Sequence, residues 1–142
     1  MADVLSREQR KKNMQSIRSV SNLENKVTKG LWKQGFRFRR NVKKLLGTPD
    51  IAIKKYKLVI FIDSCFWHGC PIHGRIPKTN SDYWVNKIKK NKQRDEKVSN
   101  YYVRNEWNIL RIWEHEIKED FEGAVSKIGD FINKAKEKKV RS

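Results

Sequence analysis

The residues best suited to bind a metal ion are concentrated in one short segment. The sequence has 2 cysteines and 3 histidines, and all but His115 lie between positions 65 and 73: Cys65, His68, Cys70 and His73. Thiolate and imidazole are the usual ligands of tetrahedral zinc, so the segment predicts a structural zinc site. Five candidates for four positions leave one group unliganded. Spacing does not decide which histidine this is, because Cys65-x-x-His68 and Cys70-x-x-His73 both fit a ligand pair.

Two other interpretations explain the cysteines without zinc. In one, Cys65 and Cys70 are small buried thiols and the histidines are unrelated to them; in the other, the two thiols form a labile disulfide. The first residues lack the apolar core of a signal peptide, and no stretch approaches transmembrane length, so we expect a cytoplasmic protein. In that compartment two close cysteines indicate metal ligands before a disulfide.

Acidic residues at predicted strand ends suggest a second kind of metal site. Asp50 follows Pro49 at the start of one predicted strand, and Asp63 ends the next. Carboxylates on neighbouring strands can converge on Mg²⁺, which assists phosphodiester hydrolysis, and an unliganded histidine supplies a proton acceptor near neutral pH. Taken alone, an aspartate before an apolar run is a weak signal. Glu24 also fits the acid of a helix capping box, and Asp95 a simple partner of neighbouring Lys and Arg.

The elements that position these residues appear as periodic patterns. Capping boxes at Ser6 and Ser21 predict two helix starts, and an apolar stripe at every fourth position continues the second helix to Gly35. Strands are expected at 36–40, 49–53 and, buried on both faces, 58–62. They are followed by a helix at 83–104, a buried strand at 107–113 and a helix from near Lys118 to about Lys136, with its core face at Phe121, Val125, Ile128 and Ile132.

This order of elements predicts an α/β fold of one domain, residues 1–142, in which helices flank a small mixed sheet. We expect the strand at 107–113 to run beside the strand at 58–62, which would bring His115 to the cysteine-containing loop. Phe61 and Trp113 are predicted core residues, because they lie within apolar strands.

The charge of the chain indicates a polyanionic partner. It has 33 Lys and Arg against 16 Asp and Glu, a net charge of +17, and the positive charge runs along the whole chain with aromatic residues between the basic ones. Such a surplus favours nucleic-acid binding over a merely soluble basic surface. No long helix pairs a basic face with a bulky apolar one, so we expect no membrane partner.

Five blocks of sequence, in order and spacing, resemble the very short patch repair (Vsr) endonucleases. These blocks are Lys12-Asn13-Met14, Gly47-Thr48-Pro49-Asp50, Cys65-Phe66-Trp67-His68-Gly69-Cys70, Tyr83-Trp84 with Lys90-Asn91 and Arg94-Asp95, and Trp107 with Arg111-Ile112-Trp113-Glu114-His115. The resemblance implies a PD-(D/E)xK nuclease superfold. It also implies an enzyme that nicks DNA beside a thymine mispaired with guanine, the product of 5-methylcytosine deamination.

The resemblance also implies a role for each site residue. Asp50 is expected to bind Mg²⁺ together with the backbone carbonyl of Ile62, and His68 to act as general base. Glu24 and Asp95 are expected to support metal-bound waters and the site. Zinc is then expected on the remaining candidates: Cys65, Cys70, His73 and His115.

For DNA binding the resemblance implies an aromatic wedge in the loop 64–80 and a helix at 1–20. Phe66, Trp67 and Trp84 are expected to enter the duplex at the mispair, with Met14 probing the opposite groove and Asn91 contacting DNA. A mispaired step is easier to open, which itself favours mismatched DNA. The alternative for Trp84 is core packing in a stripe with Ile88.

Asp63 departs from some family members, which carry a histidine there that assists at the phosphate. An acid at this position is expected either to bind a second metal ion or to orient water, so the sequence is compatible with one or two Mg²⁺ ions.

Two further functions explain part of the sequence: a related nuclease that cuts fully paired DNA in restriction or phage defence, and a non-catalytic zinc-stapled nucleic-acid-binding module. The expected partner is double-stranded DNA with a T·G mismatch, bound by a monomer with a functional link to a cytosine-5 DNA methyltransferase.

Overall fold

The computed structural model describes residues 22–65 and 80–141, and within them four strands form one mixed sheet. The strands are β1 (Arg39–Arg40), β2 (Ile51–Ile53), β3 (Leu58–Asp63) and β4 (Asn108–Trp113), and they lie side by side in that order. β1 pairs antiparallel with β2 and β2 antiparallel with β3, whereas β3 and β4 are parallel. The predicted mixed sheet is confirmed.

The described helices pack on both faces of this sheet. α1 covers residues 22–33, and it is followed by α2 (Ser81–Arg104), α3 (Glu114–Glu119) and α4 (Phe121–Arg141), with a short 3-10 helix at Lys54–Tyr56. A parallel pair of strands needs a long crossover, and α2 lies in the connection from β3 to β4. Among the described helices, none combines the length and apolar character that crossing a bilayer requires.

β3 separates two apolar clusters. All six of its residues are buried, and successive side chains point to opposite faces of the sheet. Ile60 and Ile62 pack in the cluster that includes residues of α1, α3 and α4, whereas Val59 and Phe61 pack in the cluster that includes α2 residues. By the same alternation Asp63, two residues after Phe61, lies on the α2 face of the sheet.

The end of α1 confirms the predicted stop at Gly35. Gly35 has a φ of +96°, its N–H donates to the carbonyl of Trp32, and the N–H of Phe36 donates to the carbonyl of Leu31. This pair of bonds is the Schellman arrangement, which satisfies the last carbonyls of a helix and favours glycine at the left-handed position.

The predicted final helix is wrong in one respect, since the chain forms two helices there and not one. Asp120 interrupts it: the carboxylate of Asp120 accepts a hydrogen bond from the N–H of Gly123 at 3.0 Å, as an N-capping residue does. Val125, Ile128 and Ile132 are buried as predicted, but Phe121 is 36% exposed, because it lies at the start of α4, next to this break.

Other boundaries moved by a few residues. The predicted strand at 36–40 is reduced to β1, and α2 begins at Ser81. The turn expected after β2 is a 3-10 helix, and Lys57, which follows it, has a φ of 47°. The strand predicted at 107–113 is only half-buried apart from Ile112, because β4 is an edge of the described sheet. Trp113, expected in the core, is likewise half-buried, whereas Phe61 is buried. The helix expected at 1–20 and most of the loop 64–80 lie outside the described residues.

Candidate active site

A cleft of about 510 Å³ opens on the α2 face of the sheet, beyond the end of β3. Its lining combines acidic and basic side chains from the turn before β2 and from β3, α2 and β4, including Asp50, Asp63, Lys87, Arg94, Asp95 and Arg111. The sequence predicted a site around Asp50, Asp63 and Asp95, and the fold brings these three carboxylates to one cleft.

Asp50 is fixed by a hydrogen bond to the neighbouring strand. The backbone N–H of Ile62 donates to Oδ2 of Asp50 at 2.6 Å. The side chain is half-buried, and the preceding Pro49 is buried. The carboxylate therefore has one oxygen bound to β3, beside the same Ile62 backbone whose carbonyl was expected to share its metal ion.

The turn before Asp50 depends on close packing against α2. Gly47 and Thr48 have φ values of +76° and +49°, and a Cβ on Gly47 would lie 2.8 Å from a methyl group of Val98. Tyr102 donates its phenolic O–H to the carbonyl of Leu46 at 2.5 Å. These contacts explain the Gly-Thr-Pro-Asp motif: glycine permits both the left-handed backbone and the approach to α2 that sets the position of the aspartate.

Burial and negative neighbours change the acidity of Asp50. The pKa of Asp50 is raised from 3.8 to about 7, and burial is the largest cause. The charges of Glu24 and Asp63 and a side-chain hydrogen bond with Glu24 contribute to this increase, whereas the hydrogen bond from the N–H of Ile62 acts against it. A cation beside Asp50 would therefore stabilise its carboxylate. Without Mg²⁺, Asp50 is partly protonated at neutral pH.

Glu24 enters the site from α1. It is 7% exposed, accepts a hydrogen bond from Arg40 at 3.3 Å, and interacts with Asp50 as described above. Arg40 also donates to the side-chain oxygen of Asn25 at 2.6 Å. Glu24, which also fitted the acid of a helix capping box, therefore belongs to the group of acidic side chains around Asp50.

Asp63 and Asp95 share one arginine that the sequence analysis did not single out. Arg111 of β4 lies 2.9 Å from the carboxylate of Asp63 and 4.0 Å from that of Asp95. A charged residue within an apolar strand was the available signal, since the sequence Asn-Ile-Leu-Arg-Ile places Arg111 beside the buried Phe61 of β3. It was missed because its partners are 48 and 16 residues away in sequence.

Two of the predicted zinc ligands meet where β3 and β4 end. The Sγ of Cys65 lies 3.3 Å from Nδ1 of His115, and Cys65 is buried. The parallel pairing of Asp63 with Trp113 explains this contact, because each ligand lies two residues further along its own chain. The expected approach of His115 to the cysteine-containing loop is confirmed. Cys70 and His73, the other two predicted ligands, lie outside the described residues.

The predicted DNA-contacting residues are only partly described. Met14, Phe66, Trp67 and the expected general base His68 lie outside the described residues. Asn91 lines the cleft and accepts a hydrogen bond from Arg94 at 2.9 Å.

Trp84 is 1% exposed, and its ring centroid lies 5.0 Å from that of Tyr83. Ile88, one helical turn further along, is also buried. The core stripe considered as the alternative for Trp84 is therefore present in this conformation. A wedge role would require the Trp84 ring to become exposed, and it stays a prediction.

Comparison with known proteins gives a consistent result. The sequence model of the family described as DNA mismatch endonuclease Vsr matches residues 2–73. The chain is 44% identical to the type II nicking enzyme V.HpaIIP of Haemophilus parainfluenzae, over 78% of this chain and 82% of that protein. It is 41% identical to the type II nicking enzyme V.NaeI of Lentzea aerocolonigenes, over 82% and 74% of the two chains.

A third relative carries the family's own description. The chain is 35% identical to the DNA mismatch endonuclease Vsr of Escherichia coli strain K12, over 80% of this chain and 74% of that protein. Together with the cleft around Asp50 and the mixed sheet, these matches show that the chain belongs to the Vsr family of DNA endonucleases.

Proposed function

We propose that this endonuclease nicks one strand of duplex DNA beside a T·G mispair, in a reaction that depends on Mg²⁺. The observation that carries the proposal is the carboxylate of Asp50, held by the N–H of Ile62 in a cleft that also presents Lys87 and Arg94. The relative in Escherichia coli is described as a mismatch endonuclease and others as nicking enzymes, which supports both the mispair and the single-strand cut.

The donor set of the cleft suits Mg²⁺. The Asp50 carboxylate and the carbonyl of Ile62 would hold the ion, since Mg²⁺ prefers oxygen ligands and keeps several waters. The raised pKa of Asp50 supports this assignment, because burial next to Glu24 and Asp63 leaves negative charge that a cation would neutralise. When bound, Mg²⁺ offsets charge on the scissile phosphate and increases the acidity of a bound water.

The chain's own residues account for the remaining parts of the reaction. Lys87 and Arg94 on α2 face the cleft, where their charges can attract and orient the phosphate backbone. Glu24 and Asp95 can accept hydrogen bonds from water around Asp50, and we assign His68 as the general base that removes a proton from the attacking water. The Pro49-Asp50 pair directly before β2, with β3 antiparallel beside that strand, supports a PD-(D/E)xK architecture.

A structural zinc site is the second part of the proposal, with Cys65, Cys70, His73 and His115 as ligands. The 3.3 Å contact between the Cys65 sulfur and the His115 ring supports it, because a thiolate and an imidazole nitrogen this close fit one metal ion. The N–H of Cys65 donates to Glu114 at 3.2 Å, which orients the loop at its first ligand. Zinc would tie the loop 64–80 to the end of β4.

The proposed partner is double-stranded DNA, bound by a monomer, with Phe66 and Trp67 as the wedge and Met14 on the opposite side. The net charge of +17 supports a polyanionic partner. We also expect a functional link to a cytosine-5 methyltransferase, since deaminated 5-methylcytosine is the source of the T·G mispair.

The experiment is a nicking assay on three end-labelled duplexes that differ only in one pair: T·G, T·A or C·G. With Mg²⁺ we expect cleavage of the thymine strand in the T·G duplex alone, and none by Asp50→Asn or His68→Ala. Asp130→Asn is the matched control, because Asp130 is exposed on α4 away from the cleft. Equal cutting of all three duplexes would reject mismatch selectivity and leave a nuclease for paired DNA.

A further inference from the structure

Arg111 is the charged residue of β4, a strand whose other residues are apolar except for Asn108. It pairs in parallel register with Phe61, and its guanidinium carbon lies 4.4 Å from the centroid of the Phe61 ring. Its side chain is 22% exposed, and it lines the cleft that contains Asp50. A guanidinium with so little exposure to solvent needs hydrogen-bond acceptors for its nitrogens.

The guanidinium has a partner for each of its three nitrogens. Nη1 donates to the carboxylate of Asp63 at 2.9 Å, Nε to the hydroxyl of Ser99 at 2.7 Å, and Nη2 to the backbone carbonyl of Asp95 at 3.2 Å. One side chain therefore ties the end of β3 to the middle of α2. A lysine carries the same charge but not this planar fork of donors.

We propose that Arg111 is a positioning residue that acts as the resident cation for Asp63. It keeps Asp63 out of any metal site and fixes Asp95 beside the cleft, so that the protein offers its metal-binding carboxylate from Asp50 alone. The proposal rests on the proposed function and answers the question of metal number that Asp63 raises.

The charges around Asp50 lead to this assignment. The Asp63 side chain is only 8% exposed, so a second metal ion would have to displace the guanidinium from Asp63 and would place a dication next to that cation. Glu24 is likewise paired with Arg40 at 3.3 Å. Asp50, by contrast, takes part in none of the ion pairs formed within residues 22–65 and 80–141.

The test counts Mn²⁺ ions on the DNA-free protein at pH 7.5, from the electron paramagnetic resonance signal of unbound Mn²⁺. We expect the wild type to bind one ion in the cleft, and Asp50→Asn to lose it. Asp63→Asn should keep it. In Arg111→Leu, Asp63 no longer faces the guanidinium, so the variant should bind a second ion or bind the first about tenfold more tightly, and adding Asp63→Asn to that variant should remove the gain.

Nicking kinetics give a second readout that does not need Arg111→Leu to be stable. Arg111→Lys keeps the charge but not the fork, so its single-turnover rate on a T·G duplex should fall about tenfold with little change in DNA affinity. Arg104→Lys is the matched control, since Arg104 is an exposed residue at the end of α2 and its rate should not change.

Two results would overturn the proposal: a wild type that binds two ions and loses one in Asp63→Asn, or an Arg111→Lys rate equal to that of the wild type. Either result leaves the proposed function standing if Asp50→Asn still abolishes metal binding and nicking. Retained Mn²⁺ binding and nicking in Asp50→Asn would instead reject the proposed function itself.

Discussion

Asp50→Asn should make the protein more stable at pH 8 in the absence of Mg²⁺, although the same substitution should abolish nicking. Burial beside Glu24 and Asp63 raises the pKa of Asp50 from 3.8 to about 7. At pH 8 the carboxylate is ionised in both the folded and the unfolded chain, so the folded state carries a buried charge next to two other acids. Asparagine removes that charge. Its carbonyl oxygen can still accept from Ile62, and its amide can donate to Glu24.

The size of this gain follows from the pKa difference. Raising a pKa from 3.8 to about 7 corresponds to roughly 4 kcal/mol between the two protonation states. Because Asp50 is half-buried and faces an open cleft, solvent reduces this effect. We expect the free energy of unfolding of Asp50→Asn to exceed that of the wild type by about 1–3 kcal/mol, which corresponds to an unfolding temperature higher by about 3–10 °C.

The pH dependence has a definite sign. A carboxyl whose pKa is higher in the folded state contributes stability below its unfolded pKa and loses that contribution as the pH rises through its folded pKa. The advantage of Asp50→Asn should therefore be largest at pH 8, smaller at pH 5, and absent near pH 4.

The assay is thermal unfolding of both proteins between pH 4 and pH 8, with neither added divalent cation nor chelator. Asp130→Asn is the control, and its unfolding temperature should stay within about 1 °C of the wild type at every pH. Added Mg²⁺ should stabilise the wild type but not Asp50→Asn. An Asp50→Asn protein that unfolds at or below the wild-type temperature throughout this range would refute the reasoning.

Three further predictions concern the surroundings of the site. Gly47→Ala should lower the free energy of unfolding by about 2–4 kcal/mol in urea titrations, because the added Cβ would lie 2.8 Å from Val98 and the alanine would have to adopt a φ of +76°. A Gly47→Ala protein as stable as the wild type would contradict the packing described for this turn. Tyr102→Phe should lose about 1 kcal/mol by removing the bond to Leu46. Burial raises the pKa of Tyr102 to about 12, so stability from this residue should fall as the pH rises from about 10 through 12, a decline that Tyr102→Phe should lack. Cys65→Ser should reduce bound zinc well below the roughly one equivalent expected for the wild type by metal analysis, and a folded wild type without zinc would contradict the site.

Local patterns predicted the parts of the fold that neighbouring residues determine. The glycine after α1, the apolar run of β3 and the helical period of α2 each depend on a few adjacent residues, and each was found close to its expected place. The meeting of Cys65 and His115 was also predictable, since parallel pairing of two strands brings the residues after them together.

The parts that were missed depend on contacts between distant residues. Arg111 bonds to side chains and backbone of β3 and α2, and nothing in its own strand indicates three partners. The place of Glu24 in the site was implied by the family resemblance and not by any local pattern, because its interaction with Asp50 arises from the packing of α1 against the sheet. The break at Asp120 was a local signal, an aspartate at a helix start, that was outweighed by the surrounding helical pattern.

The central claim is that the carboxylate of Asp50 binds the metal ion that drives strand cleavage. The most direct measurement is the single-turnover nicking rate on a T·G duplex as a function of Mg²⁺ concentration, for the wild type, Asp50→Asn and Asp130→Asn. We predict a saturable Mg²⁺ dependence for the wild type and Asp130→Asn, and a rate at least about a thousandfold lower for Asp50→Asn at every concentration. Cleavage by Asp50→Asn at a rate near that of the wild type, with the same Mg²⁺ dependence, would contradict the claim.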